Sequence, residues 1–263
     1  MRILFIGDVV GRVGRRAVAE HLPGLLEEYA VDFTVANGEN AAGGVGLTPR
    51  TAEELFGSGI DVLTSGNHIW DKRDAFDLLN EDSRIVRPAN YPQGAPGRGW
   101  TLVSSDDGVT VGVVNLQGRV FMQGIDCPFR VGEEILKSLR EKTRVLVVDV
   151  HAEATSEKLA LGHHFSGLAS AVLGTHTHVQ TADEQLMDGG TAYITDVGMT
   201  GPADSIIGVR TELSVARFVT QLPQRFETAS GRAIVNAVVI DVDESTGAAG
   251  GITRILRLEE RGD

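Results

Sequence analysis

Five times along this chain a short apolar run breaks off into Asp, Glu, Asn or His, usually through glycine. Arg2 to Ile6 ends in Gly7-Asp8, and Phe33 to Ala36 ends in Asn37-Gly38-Glu39-Asn40. Asp61 to Thr64 ends in Ser65-Gly66-Asn67-His68. Arg144 to Val150 ends in His151, and Ala171 to Leu173 ends in Gly174-Thr175-His176-Thr177-His178. An apolar run stopped by glycine and polar residues reads as a buried strand leaving a sheet. Helical patterns between such runs give a parallel sheet, whose ligand crevice lies beyond the carboxyl ends of the strands. The chain therefore reads as α/β, with five polar clusters delivered to one crevice. A random scatter of polar residues would not keep landing there.

The intervening segments supply the rest. Helical spacing of Val18, Leu22, Leu25 and Leu26 predicts a helix over roughly Arg15 to Tyr29. Thr48-Pro49 has the form of an N-cap and first helical position for a short helix to Phe56. Further helices are expected over Asp71 to Leu79, Val131 to Glu141 and Ser156 to His163. Arg84 to Val86 reads as a short strand, and Ala192 to Thr195 as another. Trp100 to Ser104 and Val109 to Asn115 form a hairpin pattern through Asp106-Asp107-Gly108. Leu213 to Phe218, Ala233 to Val242 and Ile252 to Leu258 are candidate late strands. Pro88 to Gly99 is a long loop or the boundary to a second half, and Gln117 to Pro128 and Asp196 to Gly208 are loops. Glu259 to Asp263 is expected to fray.

Composition narrows the function. With 263 residues, 42% of them hydrophobic, the chain can bury a sizeable core. A formal charge of -12 argues against a broad nucleic-acid or membrane footprint. Cys127 is the only cysteine, so neither an intramolecular disulfide nor a thiolate metal site can form. No apolar run reaches the roughly 18 residues a membrane span needs. The opening Met1-Arg2-Ile3-Leu4-Phe5-Ile6-Gly7-Asp8 does not have the form of a signal peptide. A cytoplasmic protein is expected.

Each polar cluster has a plainer explanation when taken singly. Asp8 after glycine suits a turn, and Asn67 suits an Asx-turn. Glu39 and Asn40 can satisfy loop backbone groups, and His151 can be a hydrogen-bonded histidine at the core edge. Together, Asp, Glu, Asn and His side chains suit a borderline metal such as iron, manganese or zinc. His176 and His178, two apart, point to the same side if the backbone there is extended. His21, His163 and His164 fall on helices and take no role. Ala41-Ala42-Gly43-Gly44-Val45-Gly46 lacks the Gly-Lys-Ser/Thr of a Walker A loop and reads as backbone turning close to the site. Arg12, Arg15 and Arg16 read as a solvated basic face rather than a phosphate site.

The ordered set Gly7-Asp8, Asn37-Gly38-Glu39-Asn40, Gly66-Asn67-His68, His151 and Gly174-Thr175-His176-Thr177-His178 resembles the calcineurin-like metallophosphoesterases. It is most similar to their bacterial YmdB-type branch of 2′,3′-cyclic-nucleotide phosphodiesterases. Gly118-Arg119-Val120-Phe121-Met122 and Asp196 to Pro202 also resemble that branch. Val10 stands where the wider superfamily has histidine, and Glu39 stands where it has a bridging aspartate. The resemblance implies one metallophosphoesterase domain over residues 1–263, folded as a layered α/β/β/α sandwich. It implies two metal ions, iron first. One ion is held by Asp8, Glu39, Asn40 and His178, and the other by Glu39, Asn67, His151 and His176, with Glu39 bridging. It implies hydrolysis of 2′,3′-cyclic nucleotides, with 3′,5′-cyclic ones as further candidates, by a metal-bridging hydroxide and with His68 as proton donor. A homo-oligomer is an expectation of the same kind. Two other readings stay open: a phosphomonoesterase or nucleotidase on the same metals, and a regulatory scaffold with structural metals.

Overall fold

Strands with apolar side chains on both faces need cover on both sides. The strands of this chain are of that kind, and the fold follows from covering them. In a computed structural model that describes residues 1–260, the elements run in the order β1 (Arg2–Ile6), β2 (Asp8–Val9), α1 (Gly11–Tyr29), β3 (Phe33–Asn37), α2 (Pro49–Gly57) and β4 (Val62–Thr64). A short 3₁₀ turn (Asn67–Asp71) and α3 (Ala75–Glu81) follow. Then come β5 (Trp100–Ser104), β6 (Thr110–Gln117), α4 (Pro128–Arg140), β7 (Val145–His151), α5 (Thr155–Phe165) and β8 (Ala171–Thr175). The chain closes with β9 (Gln185–Met187), β10 (Thr191–Ile194), β11 (Met199–Pro202), α6 (Thr211–Thr220), β12 (Ala233–Val242) and β13 (Ala249–Leu258).

The first sheet has the order β2-β11-β12-β1-β3-β4, with β13 against β12; the second has the order β5-β6-β7-β8-β10-β9. β1, β3 and β4 are parallel, and so are β6, β7, β8 and β10. Alternation along the strands sorts the core into three layers. Ile3, Phe5 and Val35 of the first sheet meet Val111, Val113 and Val147 of the second. Leu4 and Ile6 face the other way, onto Val18 and Leu22 of α1. Leu146 and Val148 pack with Leu136 of α4 and Leu161 of α5. The result is the α/β/β/α sandwich expected from the resemblance. The long stretch 88–99 does mark a boundary, because it hands the chain from the first sheet to the second.

Several elements differ from the sequence reading. Leu213 to Phe218 is not a strand but part of α6. The apolar residues that suggested a strand lie largely on the surface, with Phe218 and Val219 exposed, while Glu212 sits in the first turn, where a helix favours an acid. The 196–208 loop contains β11, which pairs antiparallel with β12 and parallel with β2. Its Gly201-Pro202 sequence hides the strand. The expected helix at Asp71 starts only at Ala75, after the 3₁₀ turn. Arg84 to Val86 makes only isolated bridges, Leu63 to Ile85 and Val86 to Arg98. α1 begins at Gly11 rather than Arg15. Glu259 is not frayed, since Arg16 donates to both its carboxylate oxygens at 2.8 and 2.9 Å. The rest of that expectation falls on Arg261 to Asp263, outside the described residues.

Thr48 does cap α2, in a reciprocal box with Thr51, and Pro49 opens the helix. Among the described residues no helix is long and apolar enough to cross a membrane.

Two glycines test the packing from opposite sides. A Cβ on Gly7 would sit 1.9 Å from the Gly198 carbonyl oxygen, whereas a Cβ on Gly24 in α1 meets nothing within 4 Å among the described residues. Gly7→Ala is expected to destabilise the protein by about 3 kcal/mol through forced backbone displacement. Gly24→Ala is expected to stabilise it by up to about 1 kcal/mol through helix propensity. Urea unfolding of both variants measures this; equal effects would mean the β1–β2 crossing tolerates a methyl group.

Candidate metal centre

The carboxyl ends of β1, β3 and β4 in one sheet, and of β7 and β8 in the other, open on the same edge of the sandwich. His151 is the last residue of β7 and pairs in register with Thr175, the last residue of β8. That register sets up a relay. The Thr175 hydroxyl donates to Asp149 Oδ1 at 2.7 Å, so its single proton is committed. His151 Nδ1, 2.9 Å from Thr175 Oγ1, must therefore be the donor in that pair. Thr64 Oγ1 and Asn37 Nδ2 donate to the other oxygen of Asp149, and all of these groups are buried.

The relay leaves His151 Nε2 facing forward. There it lies 3.0 Å from Glu39 Oε1, 3.1 Å from Asn67 Oδ1 and 3.0 Å from His176 Nδ1. A carboxylate, an amide oxygen and two imidazole nitrogens bring electron pairs to one small volume. They repel one another unless something positive sits between them. Ligand atoms of Glu39, His151 and His176 all lie within 4.8 Å of one another, a spacing that can hold a metal ion.

The ionisation balance also calls for positive charge here, part of which a proton on His151 can supply. Burial pushes Glu39 up, but the charge and hydrogen bond of His151, helped by His68, outweigh it and hold the carboxyl at about 2. Burial pushes His151 down, but Glu39, Asp8 and Asp149 outweigh it and raise the imidazole to about 9. His176 is driven down to about 3, by burial first and then by His151. Asp149 rises to about 6 because it is buried, against the pull of His151, Thr64 and Thr175. Asp8 is also raised by burial, although His178 and His151 oppose the shift. Buried carboxylates gathered this closely call for cationic partners.

Asp8 lies in the short β2, fully buried. Its Oδ2 accepts from the His176 backbone N–H at 3.1 Å, while its Oδ1 has no hydrogen-bond partner among the described residues. His178 Nε2 stands 3.7 Å from that free oxygen. His178 Nδ1 donates to the Ile207 carbonyl at 2.9 Å, which leaves Nε2 as the electron-pair nitrogen. Asn40 Nδ2 lies 3.2 Å from His178 Nε2 and 3.3 Å from Glu39 Oε1. Its amide nitrogen, not its oxygen, faces these groups, and a half-turn of the amide would put the oxygen there instead. A buried carboxylate oxygen with no donor, beside an imidazole nitrogen and an amide, fits a second cation.

The twin histidines reach the site by a different route from the extended backbone expected. They lie beyond β8, and both take positive φ, +98° at His176 and +66° at His178. Non-glycine residues rarely adopt such values. Asp196 holds the loop there: its Oδ2 accepts from the Thr177 N–H at 3.0 Å and the Thr177 hydroxyl at 2.7 Å. The same oxygen accepts from the buried Lys158 Nζ at 2.7 Å. Sequence reasoning missed Thr175, Asp149, Lys158 and Asp196. An aspartate inside Val145-Leu146-Val147-Val148-Asp149-Val150 was the available signal, since a charge within a buried strand needs a built partner.

His68 lies beside the ligand group without belonging to it. Its backbone N–H donates to Glu39 Oε2 at 2.9 Å, and its Nδ1 faces Asp71 Oδ2 at 2.7 Å. The carboxylate fixes the proton on Nδ1 and leaves Nε2 available to a ligand in the cavity. That cavity, about 410 Å³, is bounded by Glu39, Asn40, His68, His176 and His178 on its polar side. Glu153, not anticipated from sequence, lines it too and lies 3.2 Å from His176 Nε2. His21, His163 and His164 sit on α1 and α5, outside the cavity lining. Arg15 bonds the Ala41 carbonyl and so steadies the glycine loop, and Arg16 pairs with Glu20 and Glu259.

The sequence profile of the YmdB-like protein family matches residues 4–255. The chain belongs to this family. It is 52% identical over 256 residues to the 2′,3′-cyclic-nucleotide 2′-phosphodiesterase of Bacillus subtilis, covering 97% of each chain. A hypothetical protein from Thermus thermophilus shares 45% identity and superposes with a TM-score of 0.92, over 99% of this chain and 100% of that one. A phosphatase from Mycoplasma pneumoniae shares 32% identity with a TM-score of 0.93, over 99% of this chain and 94% of that one. In this YmdB-like chain Val10 takes no part in the polar cluster; it lines the apolar side of the cavity. Glu39 lies at the centre of the cluster, in contact with His151, Asn40 and the His68 backbone.

Thr175→Val removes the relay while keeping the side chain's shape. It is expected to weaken divalent-ion binding about ten- to a hundred-fold, as loss of a partner behind a histidine ligand does. Competition with a chelator reads the affinity; an unchanged value would mean His151 is oriented by packing alone.

Proposed function

We propose that this protein is a metal-dependent phosphodiesterase acting on cyclic nucleotides, the 2′,3′-cyclic ones first and the 3′,5′-cyclic ones as further candidates. The observation that carries this reading is the crowding at His151 Nε2, with Glu39, Asn67 and His176 all within 3.1 Å, beside the donor-free Asp8 Oδ1. In this reading Asp8, Glu39, Asn40 and His178 hold one ion, and Glu39, Asn67, His151 and His176 hold the other. Bound there, the ions supply charge neutralisation for the phosphodiester and a water of lowered pKa as nucleophile. His68 donates the proton that the departing ribose oxygen needs as the P–O bond breaks. Asp71, 2.7 Å behind its Nδ1, keeps the ring turned for that transfer. Glu153 at the cavity opposes the second negative charge of a phosphomonoester, which favours the diester over the nucleotidase reading.

The mixed oxygen and nitrogen donors support a borderline ion such as iron, manganese or zinc, and the family resemblance puts iron first. The same reading takes residues 1–263 as one metallophosphoesterase domain, working in the cytoplasm on a small phosphodiester, with a homo-oligomer as its assembly.

The test is activity after separate reconstitution with iron, manganese or zinc. Cyclic nucleotides and bis-p-nitrophenyl phosphate are expected to turn over faster than nucleoside monophosphates. His68→Ala is expected to lower kcat by about 10²- to 10⁴-fold with metal content retained by elemental analysis. Faster monophosphate hydrolysis would favour the nucleotidase. Loss of metal in step with activity would make His68 a ligand or a structural residue.

A further inference from the structure

The cavity is also lined by apolar side chains, beside Glu227 and Thr228, and one of them sits on strained backbone. Ile206 and Val209 exchange both backbone hydrogen bonds, each at 2.9 Å. The two residues between them, Ile207 and Gly208, take φ of +46° and +100°. This is the two-residue turn that favours Asn-Gly, because both central residues need positive φ. Glycine occupies the second position as expected. A β-branched residue in the first is an outlier. The backbone task of this position is to offer its carbonyl to His178 Nδ1, and asparagine or glycine would do that with less strain. What only isoleucine supplies is its side chain, which is 49% exposed and lines the cavity.

Two more large apolar side chains face the same space. Phe226 is 53% exposed and Val45 is 37% exposed, and both line the cavity. Phe226 is set by pairing behind it: Val209 bridges Thr228, and the Arg210 N–H donates to the Glu227 carbonyl at 3.0 Å. Val45 belongs to the glycine loop, which closes against Thr228 so tightly that a Cβ on Gly44 would lie 2.5 Å from its methyl group. Strain tolerated at a pocket wall points to a ligand contact. One aromatic and two aliphatic side chains lining the same cavity as the candidate phosphodiester site suit a flat π-system joined to the phosphate through a sugar.

We propose that Val45, Ile207 and Phe226 form a subsite for the nucleobase of the substrate. This rests on the diesterase reading and deepens it. Stacking of this kind tolerates any base, because every base has a π-face. Purines are therefore favoured over pyrimidines by area, and adenine and guanine are treated alike.

The experiment compares adenosine 2′,3′-cyclic phosphate with glycerol 1,2-cyclic phosphate, a cyclic diester without a base, on the metal-loaded enzyme. The wild type is expected to prefer the nucleotide in kcat/KM by about ten-fold or more, the range of one stacked base. Phe226→Ala and Ile207→Asn are each expected to lower that preference by about five- to ten-fold, mostly through the KM of the nucleotide, and Phe226→Trp to keep it. Ile207→Asn is also expected to raise Tm by about 2–4 °C as the turn relaxes, which shows that the variant is folded. Equal kcat/KM for the two compounds in the wild type would remove the subsite and leave the diesterase. Variants that lose activity on both compounds in proportion would make these residues structural. Hydrolysis of neither compound would remove the diesterase reading and the subsite with it.

Discussion

The imidazole of His151 is fixed from behind and crowded from the front, and much of the molecule is arranged around that condition. Behind it, a threonine hydroxyl and a buried carboxylate commit its Nδ1 proton. In front, three electron-rich atoms lie within 3.1 Å of Nε2. In a low-dielectric interior such an arrangement is costly unless a positive charge completes it. A proton on His151 satisfies part of the demand. It does not reach Asp8 Oδ1, which is buried without a donor among the described residues and 4.0 Å from Nδ1 of that ring. Bound cations would satisfy both places at once.

This crowding is possible because backbone approaches closely at the strand ends. A Cβ on Gly66 would lie 2.2 Å from the His151 ring, and a Cβ on Gly174 would lie 1.7 Å from the Thr195 carbonyl oxygen. Glycine at these places gives the imidazole and the histidine loop their room. The buried pair of Lys158 and Asp196 then ties the loop down through Thr177, so His176 and His178 keep conformations that the chain would not choose locally. The apolar wall at Ile207 is joined to the same frame, because its carbonyl orients His178. If the proposed site and subsite are right, phosphate chemistry and base contact share this one piece of backbone.

How much of this was legible in the sequence depended on whether a feature was local. Strands such as Arg2–Ile6 and Val145–His151 announced themselves by apolar β-type runs that stop abruptly, and the polar residues after them pointed to the crevice. The residues by themselves read as α/β with a parallel sheet; the layered sandwich was what the family resemblance implied. The segment after Asp196 was not legible. β11 exists through its pairing with β2 and β12, and α6 carries exposed apolar residues that mimic a strand. The relay behind His151 was also hidden, because it depends on the register of β7 with β8, although Asp149 within its valine run hinted at it. The twin histidines were found for an incomplete reason: both face the site, but through left-handed backbone held by Asp196 rather than through extended spacing.

Crystals of the protein grown with manganese, with anomalous difference density recorded at a wavelength sensitive to that ion, test the central claim most directly. Two peaks are predicted, one in contact with Asp8, Glu39, Asn40 and His178 and the other with Glu39, Asn67, His151 and His176. Peaks that avoid Glu39, or an ordered site in which manganese never displaces the contacts at His151 Nε2, would contradict it.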